Sequence, residues 1–217
     1  MSETKDVREA VQAELDFDPL VNSANIGVSN IMGEVALGGT VPSYPQYLEA
    51  TAAARRVAGV RRVHNYLEVL LPPGDERDDP ALTTAANNAL AADVTVPDGV
   101  EAMSRDGNVR LTGTVGFARQ RTAAVAAVTG LAGVRKVKNS IQVRGDADPA
   151  DVTVQVQGAL DRNALVPDDS DVEVGTDAST VTLTGHVRTW AEHDAAVGAA
   201  WMGIGVQEVR DHLTITG

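Results

Sequence analysis

Catalysis and metal binding need particular side chains at particular spacings, and this chain offers few. Its four histidines, His64, His186, His193 and His212, form no HExxH pair. None stands at a spacing from a carboxylate that would serve a triad or a ligand set, so ordinary surface or sheet-edge histidines are expected. His186 follows a repeated glycine where sister segments carry Thr40 and Thr114, which favours a structural position. There is no cysteine, which excludes disulfides, thiolate nucleophiles and Cys-type zinc sites. No GxxxxGK[ST], GxGxxG or GxSxG occurs. Gly203 and Gly205 lie two apart, but behind a helical pattern rather than a strand. The acidic clusters Asp146, Asp148, Asp151 and Asp168-Asp169-Ser170-Asp171 lack the glycine and distal glutamate of a calcium loop. They read as solvated linker charge and as helix-start charge favoured by the dipole. No catalytic residue, cofactor or metal ligand is expected, and the chain reads as a non-enzyme.

Binding is a better prospect. Arg119, Arg121, Arg135, Lys136 and Lys138, with Arg144 nearby, form the most pointed charge feature. They are a candidate surface for lipid headgroups or another polyanion, worth roughly 1 kcal/mol per cation near an anionic membrane. They could instead face acidic groups of the same chain or of a protein partner. The charge distribution favours this second reading. The net charge is −12, yet residues 81–144 carry eight basic and four acidic groups against three and thirteen in residues 145–217. A chain this acidic argues against nucleic acid as a partner. Aromatics are scarce. Tyr44, Tyr47, Phe117 and Trp190 sit near expected helix starts, where they could complete a local core or wedge into a membrane interface or partner groove.

The elements that must position these residues are announced by a repeat. Val35–Val41, Val109–Val115 and Val181–Val187 share one pattern with glycine at Gly39, Gly113 and Gly185. A second glycine follows at equal distance in each copy (Gly59, Gly133, Gly205), and then Asn65, Asn139 and Asp211 on a closing strand. The first glycine reads as a strand exit turning closely into a helix where a side chain would not fit, the second as a helix C-cap. The asparagines, on an otherwise apolar face, are expected to be buried and hydrogen-bonded. Ahead of each strand pair, Val7/Val11/Leu15, Leu82/Ala86/Leu90 and Val152/Val156/Leu160 mark one apolar stripe on a helix. Arg105-Asp106-Gly107-Asn108 is the clearest hairpin signal. Ser43 with Gln46 and Thr189 with Glu192 have capping-box spacing before the second helix; Phe117 breaks it in the middle copy.

The expected unit is αββαβ, and the fold class is α+β. Three tandem modules each place two helices on a three-stranded mixed sheet, with a right-handed parallel crossover through the second helix. Module 1 spans residues 1–70, a Pro/Asp-rich, hinge-like linker 71–80, module 2 81–144, a linker 145–149 and module 3 150–217.

The strand-glycine-valine, alanine-rich helix, Gly-Val and Asn-strand pattern from Leu37 to Val69, Leu111 to Val143 and Leu183 to Ile215 resembles the BON domain, a bacterial module of osmotically inducible and nodulation-related proteins. The resemblance implies a helix–sheet fold, no catalytic activity, and attachment or binding roles that include phospholipid interaction and envelope protection in osmotic stress. Many members are exported or lipid-anchored. Here no apolar leader and no apolar run of about 18 residues is present, so no transmembrane segment and a cytoplasmic location are expected. The expected role is a stress-related binding or interaction protein with a protein partner or self-association. The alternative is peripheral binding of anionic phospholipid through the basic middle module.

Overall fold

The computed structural model describes residues 2–144, 149–166 and 171–216, and side chains from Val7 onward apart from Pro149. The second linker, except Pro149, lies outside the described residues, as do Asp146, Asp148 and Asp168–Ser170 of the acidic clusters.

Module 1 runs α1 (Ser2–Phe17), a 3-10 turn (Ser23–Asn25), β1 (Ile26–Ile31), β2 (Glu34–Val41), α2 (Tyr44–Arg55) and β3 (Arg62–Val69). Module 2 repeats it as α3 (Asp79–Ala92), β4 (Glu101–Arg105), β5 (Asn108–Val115), α4 (Ala118–Thr129) and β6 (Lys136–Val143). Module 3 follows as α5 (Pro149–Asp161), β7 (Glu173–Asp177), β8 (Thr180–Val187), α6 (Trp190–Trp201) and β9 (Glu208–Ile215). Each sheet pairs its first two strands antiparallel and its last two parallel, so the fold is three αββαβ modules with mixed sheets.

One face of each sheet makes the core. Leu37, Leu111 and Leu183 are fully buried, and so are Val35, Val109 and Val181. The leading helices bury the anticipated stripe, Val11 and Leu15 in module 1 and Leu82, Ala86 and Leu90 in module 2. The second helices bury alanines (Ala50, Ala53 and Ala54; Ala196, Ala199 and Ala200), whose small side chains let helix and sheet approach closely. α3 begins at Asp79, with Asp78 as its N-cap, within the stretch read as linker. Glu76 of that stretch is tied to Arg135 at 3.2 Å.

The repeated glycines have reasons the strand pattern alone does not reveal. Gly39, Gly113 and Gly185 lie inside their strands at φ +120°, +136° and +116°. A Cβ there would sit 1.9, 2.4 and 2.1 Å from the carbonyl oxygens of Asn25, Gly99 and Asp171. A side chain indeed does not fit, but the obstacle is the backbone entering the first strand, not the turn into the helix. Gly59, Gly133 and Gly205 are not helix caps. The helices end four residues earlier, and each glycine is third in a turn closed by a backbone bond such as Val60 N to Val57 O. Their φ of +83° to +93° is what a turn of that kind demands.

The asparagines are hydrogen-bonded to backbone as expected, Asn65 donating from Nδ2 to Tyr47 O of α2 at 2.9 Å, but they are not buried. Asn65 is half-buried and Asn139 exposed. Asn65, Asn139 and Asp211 each accept, through the side-chain oxygen, the N–H two residues ahead (Leu67, Ile141, Leu213; 2.9–3.0 Å). Each lies on the strand that closes its sheet, so the carbonyl or carboxylate satisfies a donor the ladder leaves open. The middle helix keeps half of a capping box: Gln120 Oε1 accepts from the N–H groups of Phe117 (3.1 Å) and Gly116 (2.9 Å).

Candidate interaction surface

Strand alternation divides every sheet into a covered face and an open one. With all three modules in place the second face of the middle sheet remains exposed. Across it, the register aligns Arg105, Asn108 and Lys136 in one row, and Met103, Arg110 and Lys138 in the next. Glu101, Thr112 and Ser140 follow, then Thr114 and Gln142. Four cations and one carboxylate share this face, with Met103 among them at 70% exposure.

The residues singled out from the sequence therefore separate. Lys136 and Lys138 stand on the open face. Arg135, one residue earlier, points to the linker carboxylate of Glu76. Arg119 is exposed on α4, apart from the sheet face. Arg121 is committed elsewhere: its guanidinium stacks 3.9 Å above the Trp201 ring of module 3, and burial lowers its pKa from the ordinary arginine value. Arg105 and Arg110 were missed. The alternation in Val109-Arg110-Leu111-Thr112 carries the signal, because Arg110 must point opposite to the core valine and leucine.

Of the four aromatics singled out, Tyr47 packs against the core of its own module, Phe117 is exposed, and the other two link modules. Tyr44 of module 1 packs against the core of module 2, its hydroxyl hydrogen-bonded to the backbone of Val137, and burial raises its pKa. The equivalent Trp190 of module 3 donates its indole N–H to Val60 O of module 1 at 3.0 Å. Arg55 of module 1 stacks 4.1 Å above the Trp190 ring and lies 3.8 Å from Asp194. In module 2 the equivalent residue is Ala118, too short to reach, and Arg121 on Trp201 makes the contact with module 3. All three contacts run one way, from the start of a module's second helix to the helix end or closing strand of the next. They join 1 to 2, 2 to 3 and 3 to 1, and so close a ring. Between α2 and β3 of module 1 and the start of α6 lies an open cleft of about 950 Å³, lined by modules 1 and 3. The Arg55 Nε inside this contact has no hydrogen-bond acceptor, its neighbour being the indole face.

Three histidines pair with carboxylates, against expectation. His193 is buried, with Nε2 2.7 Å from Asp211 and Nδ1 3.0 Å from Asp194. His186 Nδ1 lies 2.7 Å from Asp171, whose carboxyl is held below its usual range first by that bond. His64 Nε2 is 3.5 Å from Glu34. Apart from the contact of His193 with its chain neighbour Asp194, these pairs join different elements, so linear spacing could not foretell them. The first accounts for Asp211 standing where modules 1 and 2 have asparagine, since His193 replaces Tyr47 and Arg121 opposite it. Among the described residues no three histidine or carboxylate side chains gather to hold a metal, and no helix is long and apolar enough to cross a membrane.

A family model for the BON domain matches residues 3–70, 78–145 and 148–217. Osmotically-inducible protein Y of Escherichia coli (strain K12) is 32% identical over 139 residues, which cover 62% of this chain and 69% of that protein. Among solved structures, the C-terminal domain of CdsD, the structural protein of the type III secretion system of Chlamydia trachomatis, aligns over 98% of both chains at 15% identity and a TM-score of 0.27. The PrgH periplasmic domain aligns over 88% of this chain and 95% of its own at 9% identity and a TM-score of 0.24.

Proposed function

We propose that this chain, which belongs to the BON domain family, is a non-catalytic binding protein of the osmotic-stress response that recognises acidic partners through the open face of its middle sheet. The stress assignment is supported by the name of the Escherichia coli relative. The carrying observation for the surface is the two adjacent rows that hold Arg105 with Lys136 and Arg110 with Lys138, four cations on an uncovered sheet in a chain of net charge −12. A concentration of like charge costs self-repulsion, and a surface of opposite sign relieves it. Retention on an immobilised poly-glutamate chain is expected for the wild type. Arg110→Glu with Lys138→Glu should abolish it while the circular-dichroism spectrum stays the same; equal retention of the variant would refute the assignment.

Anionic phospholipid is a second reading, favoured by Met103, whose 70% exposure places an apolar side chain among the cations. Co-sedimentation with phosphatidylglycerol vesicles across a salt series tests it. A protein that stays in the supernatant at low salt rules the lipid out.

A further inference from the structure

We infer that the basic open face of module 2 docks on the acidic open face of module 3 of a second copy of this chain. This rests on the reading of the middle face as the recognising surface and names its occupant.

The open face of module 3 aligns Asp177, Thr180 and Glu208 in its first row, Gly175, Thr182 and Arg210 in its second, and Glu173, Thr184 and His212 in its third. Asp177 and Glu208 occupy the repeat positions of Arg105 and Lys136, counted from Gly185 and Gly113. The same two places, at the hairpin-turn end of the outer strands, thus carry opposite charge in the two modules. Laying one face on the other turns one sheet over about its strand direction. The closing strand of one module then faces the opening strand of the other, so Arg105 meets Glu208 and Lys136 meets Asp177. Farther along, Glu101 meets His212. Thr180 and Thr182 in the centre leave room for the long cationic side chains. Arg210 is the one cation on the acidic face, and its Nε lies 3.1 Å from Glu208.

Both faces lie on every copy and do not overlap, so each molecule offers one and accepts one. Such a contact is heterologous and builds rings or open chains rather than an isologous dimer. Three strands about 4.8 Å apart, two of eight residues and one of five, span roughly 330 Å² per face. That places the contact among small, transient interfaces with strong salt dependence.

Sedimentation velocity on the full chain tests this. The wild type should shift to larger species as its concentration rises toward ~0.1 mM at ~0.1 M salt, and return to monomer at ~1 M salt, where the Debye length is about 3 Å. Arg105→Glu with Lys136→Glu should remain monomeric, as should Asp177→Lys with Glu208→Lys. All four residues are exposed, so unchanged far-ultraviolet spectra are expected. An equimolar mixture of the two variants should associate again, because each supplies the face the other now complements. A wild type that stays monomeric overturns the inference, as does association that neither variant disturbs. Loss of poly-glutamate or vesicle binding in the first variant alongside a monomeric wild type leaves the basic face a binding surface for another acidic partner and removes the second copy.

Discussion

Gly38 and Gly39 stand side by side in β2, and the structure assigns them opposite tolerances. At Gly39, with φ +120°, a Cβ would lie 1.9 Å from Asn25 O; at Gly38 nothing comes within 4 Å. Gly39→Ala therefore imposes a backbone conformation that costs about 1–3 kcal/mol for a residue with a side chain. It must also displace the Asn25 carbonyl and disturb the Ile26–Gly39 end of the ladder, which adds about 1–3 kcal/mol for a polar group left without its partner. The expected loss is about 3–5 kcal/mol. A module of about 70 residues has about 4–10 kcal/mol in total, so this single methyl group removes a large share of it. Gly38→Ala, on an open face with ordinary dihedrals, should change stability by less than about 1 kcal/mol, on the stabilising side, by restricting the unfolded chain. Urea unfolding followed by circular dichroism measures both. Gly113→Ala and Gly185→Ala should repeat the loss in modules 2 and 3. A Gly39→Ala protein within about 1 kcal/mol of wild type, or Gly38→Ala equally damaging, would refute the close-approach explanation.

Ring closure and the histidine pairs give further tests. Trp190→Ala removes the bond to Val60 O and the stack on Arg55, together about 2 kcal/mol; the radius of gyration by small-angle scattering should rise while module 3 keeps its own helix content, and Trp190→Phe should fall between. Asp211→Asn and His193→Tyr, which restore the residues of module 1 one at a time, should each destabilise module 3, while the double variant recovers part of the loss. A coupling of about 1–3 kcal/mol is expected in the double-mutant cycle, and simple additivity would count against the pairing. The Asp171 carboxyl is held below its usual value by His186. Its contribution to stability is therefore present above the unfolded-state value of about 3.9 and is lost as pH falls through the lower folded value. In His186→Thr the Asp171 carboxyl, followed by NMR, should titrate closer to 3.9 and acid unfolding of module 3 should begin at higher pH; an unchanged midpoint would exclude the histidine as the cause.

Fold and family were legible because they rest on periodicity. Val11, Leu15, Leu82, Leu90, Val156 and Leu160 repeat at helical spacing, the strand valines alternate, and both signals survive without knowledge of any contact. The candidate face was legible only in part. Lys136 and Lys138 drew notice as a cluster, whereas Arg105 and Arg110 are scattered in the chain and gather only when β4, β5 and β6 take their register.

What the amino-acid order determined by itself was three copies of one module, the side of each strand that faces the core, and the positions where only glycine would do. Tertiary structure alone decided why those glycines are required, which cations share the open face, and how the copies meet. Gly39 is forced by a carbonyl fourteen residues away, Arg121 is withdrawn from the surface by the ring of Trp201, and Trp190 reaches Val60, 130 residues distant. Local sequence encodes the direction of a side chain. Its partner depends on distances between segments that only the folded chain brings together.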